Sequence, residues 1–174
     1  MKPAPVNIRG FTLVEVTVVT VLLAILAASV LPALEQMDKT RRAGALAEIG
    51  LTLRSARSHA MASGDPVGVK IDLDAGSMQP MRLPPGGSVL PMIDAMGSPE
   101  PVCVLSHLFP GVAIAEVVLP DGSTTSGTVW FASEGSLERR AANGSYLGPA
   151  TFDFSIQIKD GGSIVVDRMT GLVQ

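Results

Sequence analysis

An α+β fold, with one long N-terminal helix packed on an antiparallel sheet, is what the sequence predicts, and three observations predict it. The apolar opening "FTLVEVTVVTVLLAILAASVL" runs on into a stretch whose apolar residues recur at three- and four-residue intervals. Beyond Pro66 the apolar period changes to two, and returns to two in several later stretches. Glycine- and proline-bearing turns separate those stretches, and no second long helical pattern follows the first.

Size and charge narrow the function classes. At 174 residues the chain accommodates one domain plus an appendage, and much of the excess in its 47% apolar content sits in the opening run. The formal charge is −3, and losing residues 1–10 would remove Lys2 and Arg9 and make it more acidic. That balance argues against broad electrostatic binding to nucleic acid. Cys103 is the sole cysteine, so no intrachain disulfide forms, and a small buried apolar role suits it best.

The first element is residues 11–34. Phe11–Leu31 as a helix would be about 31 Å long, close to a bilayer's hydrocarbon thickness. A membrane span follows, but its orientation is not set by charge, since Lys2 and Arg9 flank one side and Lys39, Arg41 and Arg42 the other. A conventional secretory signal cleaved near Ala27-Ala28-Ser29 would place Glu15 and the apolar Phe11–Val14 in its basic region, which argues against it. Glu15 is the one charge in this run. A carboxylate inside a bilayer costs about 2.5–3.5 kcal/mol and calls for a partner, yet positions 11, 12, 18 and 19 carry no cation. A cut after Gly10 would create one, the α-amino group of Phe11, on this helix or on a neighbour's.

The second element, residues 35–64, continues the helix in amphipathic form. Leu46, Ile49, Leu53, Ala56 and Ala60 share a face, and Ser63-Gly64-Asp65-Pro66 reads as a stop. Gly44 and Gly50 each weaken the middle by about 1 kcal/mol relative to alanine and invite a bend. Residues 65–174 form the antiparallel part. Val67, Val69, Ile71 and Leu73 alternate with polar partners before Asp74-Ala75-Gly76 turns the chain. Residues 77–101 hold six prolines and read as a long loop with one short strand near Met78–Leu83. Short strands are expected at 102–106, 112–119 and 127–132, the last with Val129 and Phe131 on one side. The clearest hairpin is the final one, with Phe152, Phe154, Ile156 and Ile158 going out, Asp160-Gly161-Gly162 turning, and Ile164 and Val166 returning.

A short basic leader ending in Gly10, then Phe11-Thr12-Leu13-Val14-Glu15 and an apolar helix, resembles the class III signal of type IV pilin-like proteins. The resemblance implies a pilin-like fold with residues 1–10 as a leader peptide. It implies that prepilin peptidase cuts between Gly10 and Phe11 on the cytoplasmic side and methylates the new amine. It places the N-terminus in the cytoplasm and the C-terminal domain in the periplasm, and it accommodates Pro32, since a proline at that depth loosens the helix. The implied partners are membrane lipid before assembly, an inner-membrane assembly platform, and other pilins or pseudopilins in a filament. "LRSARSHAMASGDPVGVKIDLDAG", "VWFASEGSL" and "IVVDRMTGLVQ" are similar to segments of GspH/FimT-type minor subunits. The resemblance therefore points to a GspH-like minor pseudopilin of type II secretion, with a FimT-like minor pilin as the alternative.

Chemistry outside the first element is thin. Cys103 and His107 are four apart, but the surrounding residues suit a strand and loop, with no third ligand. His59 suits an exposed helix end, and Asp72-x-Asp74-x-Gly76 is a turn lacking the later carboxylates of a calcium loop. No nucleophile elbow occurs in "SGTVWFASEGS", the methionines are scattered, and neither an enzyme nor a cofactor is expected. FimT-like proteins associated with DNA would carry arginines in the C-terminal tail, whereas here Gly171-Leu172-Val173-Gln174 has only Arg168 nearby. Arg139 and Arg140 beside Glu138 complete the candidate cation set, and the pattern suits a solvated loop better than a phosphate-tracking groove.

Overall fold

The computed structural model describes residues 12–94 and 96–174. They fall into two compact units, one ending at Asp38 and the other running from Lys39 to Gln174, and the helix α1 (Leu13–Ser63) contributes to both.

In the first unit, α1 is long and apolar enough to cross a bilayer by length and composition. Its large side chains, among them Leu13, Val16, Leu22 and Leu26, are exposed, so no protein surface within the chain covers them. Its hydroxyls are satisfied within the helix. Thr17, Thr20 and Ser29 donate to the carbonyls of Leu13, Val16 and Ile25 at 2.8, 2.8 and 3.0 Å. That is what an apolar surround demands of polar groups. Pro32 is accommodated inside the helix.

In the second unit, α1 buries Ala45, Ile49, Leu53, Ala56 and Ala60, while Leu46 is half-buried. The helix persists through Gly44 and Gly50. Gly44 has a packing reason: a Cβ there would lie 2.7 Å from Cε1 of Phe109. Gly64, at φ +75°, ends the helix by donating to the carbonyl of Ala60 at 3.0 Å.

Among the described residues, ten strands and one further helical turn follow. They are β1 (Val67–Asp72), β2 (Ser77–Arg82), β3 (Leu90–Pro91), β4 (Cys103–Val104), α2 (Leu105–Leu108), β5 (Ile114–Val118), β6 (Gly127–Phe131), β7 (Leu137–Arg140), β8 (Tyr146–Pro149), β9 (Phe154–Ile158) and β10 (Ser163–Val166). The larger sheet has the order β3-β2-β1-β6-β7-β8, with β4 also pairing β2, and the smaller has the order β10-β9-β5. Every pairing between these strands is antiparallel. One core joins the helix face to Val67, Val69 and Ile71 of β1, Val129 and Phe131 of β6, and Phe154, Ile156 and Ile158 of β9. The α+β architecture read from the sequence is therefore the one observed, with two sheets where one was expected.

Other differences have local causes. Residues 77–101 are a long loop around the expected short strand, which is β2, and they add β3 and a bridge between Ile93 and Pro99 that were not expected. The strand expected at 102–106 stops at Val104, because the Leu105 N–H turns to the carbonyl of Gly76 (3.0 Å) and α2 begins there, burying the Leu105 side chain. Phe152 lies outside β9 and is half exposed against Gly122. Trp130, off the expected apolar side of β6, is 2% exposed. Gly68 stands opposite it, and a Cβ there would meet the indole at 2.8 Å, so the opposite face of the sheet buries its own aromatic.

Candidate functional site

Gly10 and Phe11 lie outside the described residues; Glu15 lies inside them. Thr12 precedes the helix and its carbonyl accepts from the Val16 N–H at 3.2 Å. Its hydroxyl accepts from the Glu15 N–H (3.2 Å), and its own N–H donates to Oε2 of Glu15 (3.4 Å). This is a reciprocal capping box, which satisfies two backbone donors that a helix start leaves open. Sequence reasoning searched for a cation near Glu15 and missed this partner. The signal was present as Thr-x-x-Glu at the head of an apolar run. The carboxylate also complements the positive end of the helix dipole.

The three segments quoted above for the minor-subunit resemblance meet at one side chain. Nε of Arg57 donates to the carbonyls of Gly135 (3.2 Å) and Thr170 (3.1 Å). Gly135 closes the "FASEG" turn and Gly171 the "DRMTG" turn, both at positive φ, +89° and +63°. The two turns touch backbone to backbone, since a Cβ on Gly171 would lie 1.8 Å from the Gly135 carbonyl oxygen. Asp167 shapes the second turn by accepting from the Thr170 N–H and hydroxyl at 2.7 and 2.8 Å. The tail beyond it pairs with β10 through Val165 and Gln174. The Arg57 side chain thus ties helix, first turn and tail into one unit.

The three candidate nucleic-acid contacts do not form one cluster of free cations. Arg139 and Arg140 lie on β7 rather than in a loop. Nε of Arg140 bonds Oε1 of the buried Glu138 at 2.5 Å, Nη1 donates to the Gly144 carbonyl at 2.7 Å, and the guanidinium stacks 5.7 Å from the Tyr146 ring centroid. Arg139 donates to the Pro149 carbonyl at 3.0 Å, and Arg168 donates to the Thr151 carbonyl. A groove of about 520 Å³ lies beside β7, lined by Lys70, Asp121, Trp130, Glu138, Arg139 and Arg140 among others, with both charge signs intermixed.

Cys103 sits on β4 and His107 on α2, and burial, helped by Glu48, pushes the thiol above its ordinary range. A raised thiol is the reverse of an activated one. Oδ1 of Asp72 accepts from the Ala75 N–H at 3.0 Å, as a turn residue does. Among the described residues no group of three or more His, Cys, Asp or Glu is placed to hold a metal ion.

Residues 6–31 match the family model for the prokaryotic N-terminal methylation motif. Among curated proteins none matches the sequence. Among solved structures, the fold is similar to a crystal structure of EpsH, the minor pseudopilin from the type II secretion system of Vibrio cholerae. The TM-score is 0.55 at 14% identity, covering 78% of this chain and 93% of that one. A second EpsH structure gives 0.53 at 13%, covering 77% and 94%. The type IV minor pilin FimU of Pseudomonas aeruginosa gives 0.49 at 15%, covering 78% and 87%. At these identities the EpsH likeness establishes the pilin-like fold.

Proposed function

We propose that the chain is a structural minor subunit of a bacterial pilus-type filament, and specifically a GspH-like minor pseudopilin of type II secretion. One observation carries the reading: an N-terminal methylation motif over residues 6–31 heads a chain whose fold is that of a minor pseudopilin. In this reading residues 1–10 are the leader, prepilin peptidase cuts between Gly10 and Phe11, and the Phe11 amine is methylated. The helix waits in the inner membrane with its N-terminus cytoplasmic, and residues 65–174 face the periplasm. An assembly platform then moves it into a bundle with neighbouring subunits. Lipid and bundle are both apolar, so the transfer gains little from the hydrophobic effect.

Direction comes from Glu15. Its carboxylate pairs with the Phe11 amine of an adjoining subunit, and this rewards one axial register. Removing one partner of a buried ion pair costs about 3–5 kcal/mol, enough to abolish incorporation. Glu15→Ala should therefore insert and be cut normally but stay out of filaments, as read by membrane fractionation, gel mobility and shear-released filament content. Normal incorporation would refute the pairing. A bulky side chain at position 10 should block the cut, and maturation in spite of it would refute the cleavage site.

A further inference from the structure

A second charged site lies on the C-terminal half of α1, beside the chain's C-terminal tail. Arg54, Arg57 and Ser58 lie three and four residues apart on one helix face, and with Gly171, Leu172 and Val173 they line a pocket of about 210 Å³. Arg57 is held in place by its Nε bonds to Gly135 and Thr170. Its terminal nitrogens, the Arg54 guanidinium and the Ser58 hydroxyl have no hydrogen-bond or ion-pair partner among the described residues, although the chain is acidic overall. Two like charges one helical turn apart repel each other modestly, and an anion between them relieves the repulsion. Leu172, 52% exposed, adds an apolar wall.

We propose that Arg54, Arg57 and Ser58 form a receptor for a carboxylate side chain of a partner protein subunit. The inference rests on the reading of the chain as a filament subunit only for the identity of the partner; the chemistry stands on the pocket. A guanidinium fixed through Nε presents its remaining N–H groups in the fork that a carboxylate accepts, and the second arginine and the hydroxyl add donors. Charge complementarity with apolar contact at Leu172 and Val173 describes an acidic residue flanked by apolar ones. Nucleic acid is the poorer match: a backbone-tracking groove needs a row of cations with stacking aromatics, and neither lines this pocket.

The test uses the full chain in detergent micelles with ¹⁵N-labelled arginine side chains. The probes are an acetylated Leu-Glu-Leu-Glu-Leu amide, its Leu-Gln-Leu-Gln-Leu twin and an oligothymidylate. The glutamate peptide should shift the Nε–H signals of Arg54 and Arg57, and the glutamine twin should bind about tenfold more weakly or less. Arg54→Ala should weaken the glutamate peptide by about tenfold while leaving the fluorescence-monitored melt unchanged, and higher salt should weaken it in wild type. Equal binding of the two peptides, an unaffected Arg54→Ala titration, or tighter binding of the oligonucleotide would each overturn the proposal. Leader cleavage and filament incorporation are scored separately on the Gly10 and Glu15 variants, so failure of the filament reading is distinguishable from failure of this one.

Discussion

Gly171→Ala tests whether the two glycine turns are locked together as the geometry implies. The new Cβ would fall 1.8 Å from the Gly135 carbonyl oxygen, at φ +63°. Both atoms belong to backbone or are fixed to it, so no rotamer change relieves the overlap. The left-handed conformation costs about 1 kcal/mol for a residue with a side chain. Moving the tail aside also breaks the bond from Arg57 to Thr170, and a hydrogen bond to a charged group is worth about 1.5–3 kcal/mol. The total is about 2.5–4 kcal/mol. Gly64→Ala is the control: φ is similar, +75°, but nothing lies within 4 Å, so only the conformational cost of about 1 kcal/mol applies. Trp130, the single tryptophan and 2% exposed, reports unfolding of the sheet domain in urea. With a slope of about 2 kcal/mol/M, the midpoint should fall by about 1.3–2 M for Gly171→Ala and about 0.5 M for Gly64→Ala. Equal shifts would mean that the contact between the turns contributes nothing, and the Arg57 tie would lose its support.

Three further outcomes are expected. Glu138→Ala should cost about 3 kcal/mol in the same urea assay, because it leaves the mostly buried Arg140 without its carboxylate, whereas an apolar replacement of both residues should recover most of the loss. Thr12→Ala should speed amide exchange in the first turn of α1 by about fivefold, the cap being worth about 1 kcal/mol, while Thr12→Ser should leave it unchanged. Acid should destabilise the domain through three turn carboxylates held below their ordinary range. The Ser123 hydroxyl lowers Asp121, its own backbone N–H followed by the Ser136 hydroxyl lowers Glu134, and the Thr170 hydroxyl lowers Asp167. Their folded-state values lie below the unfolded ones, so the stabilisation is complete above the unfolded values and is lost as pH falls through the folded ones. The melting temperature should therefore be flat above about pH 5 and decline below about pH 4, and stability rising on acidification would contradict this.

Periodicity made the helix, β1, β5, β6 and the last hairpin readable, because their burial follows one face of one element. It failed where burial depends on what lies across the fold. Trp130 is buried by the space above Gly68, a cross-strand relation with no local trace. β7 and β8 are masked by charged Glu138-Arg139-Arg140, whose polarity is satisfied by an ion pair and by carbonyls rather than by water. β3 was obscured by Pro91, since a proline demotes a strand when only the sequence is visible. At the candidate sites, Thr-x-x-Glu was legible in principle as a cap, whereas the meeting of Arg57, Gly135 and Thr170 joins residues 78 and 113 positions apart and was not.

The cap also changes what Glu15 can contribute to assembly. One carboxylate oxygen already holds the Thr12 N–H, and the amine that a cut after Gly10 would expose lies only one residue before that nitrogen. A Phe11 amine could then reach the carboxylate of its own helix before any neighbour arrives. Pairing within one chain satisfies the charge in lipid but carries no information about register, since it is present in every arrangement. Only the excess of pairing between chains over pairing within the chain can direct assembly, because an interaction equal in both states shifts nothing. A subunit with Thr12→Ala keeps the backbone N–H that holds the carboxylate and loses only the hydroxyl that accepts from the Glu15 N–H, so the cap is weakened while the carboxylate is left in place. If the proposed pairing between chains is what drives incorporation, this variant should enter filaments about as readily as wild type even though its isolated helix start is weaker. Incorporation falling as far as it does in Glu15→Ala would instead assign the carboxylate's role to the cap.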